Sequence, residues 1–110
     1  MVIKMKKFKE SMIKTLLPHI ILTEAANRPI YGYDIIRLVR QRFGIYLSSS
    51  TVYPALNDLE KQGFIKSEWN ISKGRPRKVY TLTTKGNFLL RQTTTVLAFV
   101  NQMIEVKAKL

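Results

Sequence analysis

With 110 residues, 45% of them hydrophobic, the chain can bury one modest core, and without cysteine it has no disulfide framework, cysteine-ligated zinc or thiol nucleophile. Nineteen Lys and Arg against seven Asp and Glu give a formal net charge of +12, which draws the molecule to polyanions. No acid–base pair, metal-ligand cluster or phosphate-cradling loop is evident, so neither an enzyme nor a cofactor is expected.

In chain order, residues 9–26 have helical composition, interrupted by Pro18, which cannot donate a backbone N–H. One kinked helix and two short pieces both satisfy the pattern. His19, the single histidine, stands in an apolar run with no carboxylate beside it and reads as a packed or capping residue. The apolar uncharged stretches, residues 15–23 and 92–104, are shorter than the roughly 20 residues that span a bilayer. No cleavable signal follows the basic N-terminus, so a cytoplasmic protein without a membrane partner is expected.

Asn27, Arg28 and Pro29 make a turn, and residues 31–43 read as a second helix with Ile35, Leu38, Val39 and Phe43 on one side. Gly44 is its stop. The hydroxyls of Ser48, Ser49, Ser50 and Thr51 then open a third helix that runs to about Gln62. Pro54 is tolerated because it falls in the first turn. On this helix Val52, Ala55, Leu56 and Leu59 share a packing face, while Pro54, Asn57, Asp58 and Lys61 lie opposite.

Residues 64–71 and 78–83 carry β-branched and aromatic side chains and predict a hairpin, with Ile65, Trp69 and Ile71 alternating against Lys66, Glu68 and Asn70. Trp69 reads as a packing residue. Lys73, Arg75, Arg77 and Lys78 make the turn basic, Gly74 supplies a positive φ, and Pro76 limits the loop's freedom. Thr83 or Thr84 then caps a last helix that reaches close to the C-terminus.

Three helices followed by a hairpin are the order of a winged helix-turn-helix, a mainly α (α+β) fold whose third helix enters the major groove of double-stranded DNA while the wing lies on the backbone or in the minor groove. Asn57 has the donor and acceptor pair suited to adenine, and the hydroxyls of residues 48–51 suit phosphates or bases, although each reads equally as a cap. Lys73, Arg75, Arg77 and Lys78 suit phosphate contact. In the last helix, Leu89, Val96, Met103 and Leu110 form one seven-residue series, and Leu90, Leu97 and Ile104 an adjoining one. Phe99, Val100 and Val106 widen the stripe, which calls for the helix of a second subunit as cover, with packing on the chain's own first helix as the alternative.

The chain resembles the PadR-like transcriptional regulators over residues 17–90. The resemblance rests on five fragments in order: Pro29-Ile30-Tyr31-Gly32-Tyr33-Asp34-Ile35, Thr51-Val52-Tyr53-Pro54-Ala55-Leu56, Gly63-Phe64-Ile65, Gly74-Arg75-Pro76-Arg77-Lys78-Val79-Tyr80 and Leu82-Thr83-Thr84-Lys85-Gly86. It implies a homodimeric repressor or activator of a bacterium or archaeon, bound to a palindromic operator and, in many members, released by a small molecule. Tyr31, Tyr33, Tyr53, Pro54 and Lys61 join the DNA-contact candidates on this reading. Residues 1–83 would form the DNA-binding unit and residues 84–110 the dimerisation helix, within one compact unit. An apolar or aromatic effector would find Phe88, Phe99 and Met103 as a lining, although such residues at helical spacing are more often core. A small basic RNA-binding protein or a non-specific architectural DNA-binding protein is the alternative that the charge alone allows.

Overall fold

The regular elements are α1 (Met5–Asn27), α2 (Gly32–Phe43), α3 (Ser49–Lys61), β1 (Ile65–Asn70), β2 (Arg77–Leu82) and α4 (Thr84–Ala108), with a short 3-10 turn, Ser72–Gly74, in the hairpin loop. This computed structural model describes residues 4–108, and the side chains of residues 4–105 apart from Lys73. Leu110 and the side chains of Val106 and Lys73, all part of the sequence reading, lie outside the described residues.

Pro18 does not divide α1. The helix is one element that begins earlier than its composition suggests, with Leu17 and Ile21 buried on either side of an exposed proline. One intrahelical bond is forfeited there, and packing of the apolar face carries the helix through. Helix α2 opens where the Tyr31 N–H donates to the Asp34 carboxylate at 2.8 Å, and it closes at Gly44 with the left-handed φ of 68° that a glycine stop supplies. Tyr31 is therefore the residue before the helix rather than its first turn.

Helix α3 buries Val52, Leu56 and Leu59 and leaves Pro54, Asn57, Asp58 and Lys61 in solvent, the division that its 3.6-residue period requires. The buried faces of α1, α2 and α3 meet in one core that Ile65 and Tyr80 of the hairpin complete.

The hairpin is antiparallel, with Ile65 opposite Leu82, Ser67 opposite Tyr80, and Trp69 opposite Lys78. Tyr80 also exchanges both backbone hydrogen bonds with Ile30, at 2.7 and 3.0 Å, so the α1–α2 connection adds a short third edge to the sheet. Packing was expected for Trp69, and the structure corrects that: the ring is 64% exposed, and Ile71 is exposed as well. Alternation does put Trp69 on the same face as Ile65, but the core stops at Tyr80 and the strand runs on beyond it.

Thr83 is the cap of α4, its Oγ1 accepting from the Gly86 N–H at 3.0 Å. Gly86 is obligatory for a different reason, since a Cβ there would lie 1.9 Å from the Phe64 carbonyl oxygen. These contacts explain the run Leu82-Thr83-Thr84-Lys85-Gly86: strand end, cap, then a close helix–strand approach. Beyond them α4 lies along α1, where the His19 ring hydrogen-bonds the Thr93 hydroxyl at 2.7 Å. Leu89 and Leu90 pack in part on the chain's own core, whereas Val96, Phe99, Val100, Met103 and Ile104 are exposed. Among the described residues no helix is long and apolar enough to cross a membrane.

Candidate nucleic-acid interface

The hydroxyls that open α3 do not cap it. Ser48 makes no side-chain bond to the first-turn N–H groups, and its Oγ instead lies 2.8 Å from the Ser50 Oγ and 3.4 Å from the Thr51 Oγ1. Ser49 and Ser50 are exposed, and the backbone N–H groups of Thr51 and Val52 turn inward to the Ser48 carbonyl. The helix therefore presents hydroxyls at its positive end without spending them on the backbone.

Further along α3, Tyr53 is 40% exposed, and its ring lies across the start of α2. Only glycine permits this approach, because a Cβ on Gly32 would come within 2.6 Å of the Tyr53 ring. The tyrosine-glycine-tyrosine run thus has a packing cause. Tyr33, after the glycine, is exposed with the Arg37 guanidinium 5.5 Å from its ring centroid. Tyr31, before it, is turned to the wing: its hydroxyl accepts from the Asn70 Nδ2 at 2.7 Å, and the Arg77 guanidinium stacks 4.2 Å from its ring centroid.

The wing is held at several points along its length. Ser67 donates to the Glu60 carboxylate of α3 at 2.6 Å, Tyr80 is bonded to Ile30, and Asn70 is bonded to Tyr31. Burial raises the pKa of the Tyr80 hydroxyl above its ordinary value, with the nearby Glu60 and Tyr53 adding to the shift, so it stays protonated at neutral pH. Past these tethers the loop projects with Arg75 exposed, while Arg77, opposite the tethered Asn70, is exposed as well and the Lys78 ammonium lies 5.5 Å from the Trp69 ring centroid.

A cleft of about 360 Å³ separates α3 from the wing. Among the DNA-contact candidates, Tyr31, Tyr33, Tyr53, Asn57, Arg77 and Lys78 converge on it. Ser48, Ser49, Ser50 and Thr51 lie at the N-terminus of α3, Pro54 and Lys61 lie elsewhere along that helix, and Arg75 is in the exposed loop, all outside the cleft lining. Trp69 also lines the cleft, and sequence reasoning missed it as a candidate. A signal was present: its cross-strand partner is Lys78, a cation of the basic turn, and a residue opposite such a cation belongs to the open end of the hairpin. Among the described residues no cluster of His, Asp and Glu could hold a metal ion.

Comparison with known proteins agrees with this geometry. The model of the transcriptional regulator PadR-like family matches residues 21–92, which is most of the chain. The chain belongs to the PadR-like family of transcriptional regulators. It is similar to the transcriptional regulator Rv3488 of Mycobacterium tuberculosis, with 30% identity over 88 residues that cover 80% of this chain and 78% of the relative. Among solved structures, a PadR family transcription regulator from Clostridium difficile superposes with a TM-score of 0.75 at 30% identity, covering 82% of this chain and 95% of that one. One from Eggerthella lenta gives 0.76 at 28% identity, covering 86% and 82%. In this PadR-like regulator the matched span takes in α2, α3 and the whole wing, so the family's winged-helix architecture is present in the matched residues.

Proposed function

We propose that the chain is a dimeric, sequence-specific transcriptional repressor that binds a palindromic operator, α3 reading bases in the major groove while Arg75, Arg77 and Lys78 of the wing hold phosphates. The observation that carries this reading is the solvent face of α3, with Asn57, beside a basic wing tied to the helices at Ile30, Tyr31 and Glu60. A tethered wing loses little freedom on binding, so its cations contribute more of their attraction to affinity.

Dimerisation is supported by the apolar stripe of α4, where Val96, Phe99, Val100, Met103 and Ile104 face solvent, continued on α1 by the exposed Phe8 and Met12. A single chain gains nothing by leaving this surface in water, and a second copy brings the same surface to cover it. Leu97 lies at the centre, half-buried between the two helices, while Leu89 and Leu90 are shared with the chain's own core. In this assembly residues 1–83 form the DNA-binding unit and residues 84–110 join the subunits with help from Phe8 and Met12 of α1, and the protein works in the cytoplasm on the nucleoid. Hollows of about 270 and 290 Å³ along Thr15, Leu16 and Leu97 give a small apolar or aromatic effector a place at the same helices.

Selection of bound duplexes from a random pool tests the proposal. An inverted repeat with half-sites about one helical turn apart is the expected product. Recovery of duplexes with no common sequence would overturn it in favour of non-specific binding.

A further inference from the structure

The cleft between α3 and the wing combines aromatic surface, cations and hydrogen-bond donors. Trp69 leaves 64% of its surface in water at the outer end, although indole is among the most costly side chains to hydrate, and Tyr53 faces the cleft from α3. The Lys78 ammonium and the Arg77 guanidinium are both held over rings, at 5.5 Å from the Trp69 centroid and 4.2 Å from the Tyr31 centroid. Among the described residues no carboxylate lines the cleft to neutralise them. Free cations beside flat apolar surface fit a ligand that is itself half anion and half apolar.

When one element occupies the major groove and the next reaches the adjacent minor groove, the DNA strand that separates the grooves must pass between them. Here the space between those elements is this cleft. Resting on the DNA-binding reading above, we propose that the cleft seats a phosphodiester and its deoxyribose from that strand. Arg77 and Lys78 meet the phosphate, and the Trp69 ring lies against the C–H face of the sugar. Tyr31 is a positioning residue: its ring supports the Arg77 guanidinium, and its hydroxyl fixes Asn70 at the loop end of β1. Every nucleotide carries the same phosphate and sugar, so this seat sets affinity and register without choosing bases.

Trp69 is the only tryptophan, so its emission in the full-length protein reports the cleft directly. The duplex recovered by selection and a random duplex are titrated against it, while fluorescence anisotropy of dye-labelled DNA measures binding independently. The expected result is that both duplexes shift or quench Trp69 emission in step with anisotropy. Trp69→Ala should weaken both by the same factor, about tenfold if roughly half an indole face leaves water on binding, with an unchanged salt slope. Trp69→Phe should recover most of the loss. Lys78→Ala should instead make the salt slope shallower by about 1 for both duplexes.

The site is an exposed one, so Trp69→Ala empties no core, and circular dichroism of the variant should match the parent. Unchanged emission while anisotropy shows full binding would overturn the seat and leave the DNA-binding reading standing. Absence of anisotropy change with any duplex would overturn that reading itself. A selective loss on the operator would mean that Trp69 touches a base, and a larger emission change with single strands than with duplexes would mean stacking on a base. Either result overturns a backbone seat.

Discussion

Two surfaces of this protein leave large apolar side chains in water, and they differ in what stands beside them. In the wing cleft, Trp69 and Tyr53 are interleaved with Arg77 and Lys78. Along α4, by contrast, Val96, Phe99, Val100, Met103 and Ile104 fall in or beside a stretch, residues 92–104, without a single charge. Exposed apolar area by itself says only that a surface has a partner. On the function proposed above, its neighbours tell the two partners apart: a polyanion where cations accompany the rings, a second apolar face where nothing does.

That contrast is broken most severely by charging the apolar surface. Leu97→Asp should convert the dimer to monomers in sedimentation and lower operator affinity by about a hundredfold or more, because the half-sites then bind without linkage. An unaltered dimer would remove α4 from the interface. Asn57→Ala should cost about 1–3 kcal/mol on the selected operator and almost nothing on random duplex. Equal losses on both would mean that α3 anchors without reading.

Gly32→Ala probes the cleft from within. The new methyl pushes the Tyr53 ring from its place, and the strained or shifted ring should cost about 1 kcal/mol in DNA binding while sedimentation still shows a dimer. A change in dimerisation instead would mean that the two surfaces are coupled.

The smallest effect is expected in alkali. Because burial raises the Tyr80 pKa above 10.0, the folded state holds the phenol proton more tightly than the unfolded chain does. That contribution to stability is complete below the unfolded value and is lost as pH rises through the folded one. Melting temperature followed upward from pH 10 should therefore fall less steeply in Tyr80→Phe than in the parent, and parallel curves would show that Tyr80 does not titrate on unfolding.

Periodicity and punctuation made most of the fold legible. The burial of Val52, Leu56 and Leu59, the glycine stop at Gly44 and the cap at Thr83 are all local or periodic consequences of residue type. What the sequence misplaced or left open shares one cause. Alternation correctly put Trp69 on the face of Ile65, yet a pattern along one strand holds no information on where the helix packed beneath it ends. Pro18 leaves one helix and two short pieces both open because the backbone rule is local, whereas Leu17, Ile21 and Leu22 hold a single helix through packing against elements far away in the chain.

The sequence by itself determined the order of elements, the solvent face of α3, the basic wing and the apolar stripe of α4, because each is written in residue types at fixed spacing. Only tertiary structure decided that Tyr31 serves the wing, that Gly32 is the floor under Tyr53, and that Trp69 stands open to solvent beside Lys78. Those outcomes depend on distances between elements distant in the chain, set by how the helices and hairpin pack and not by any one segment's own preference.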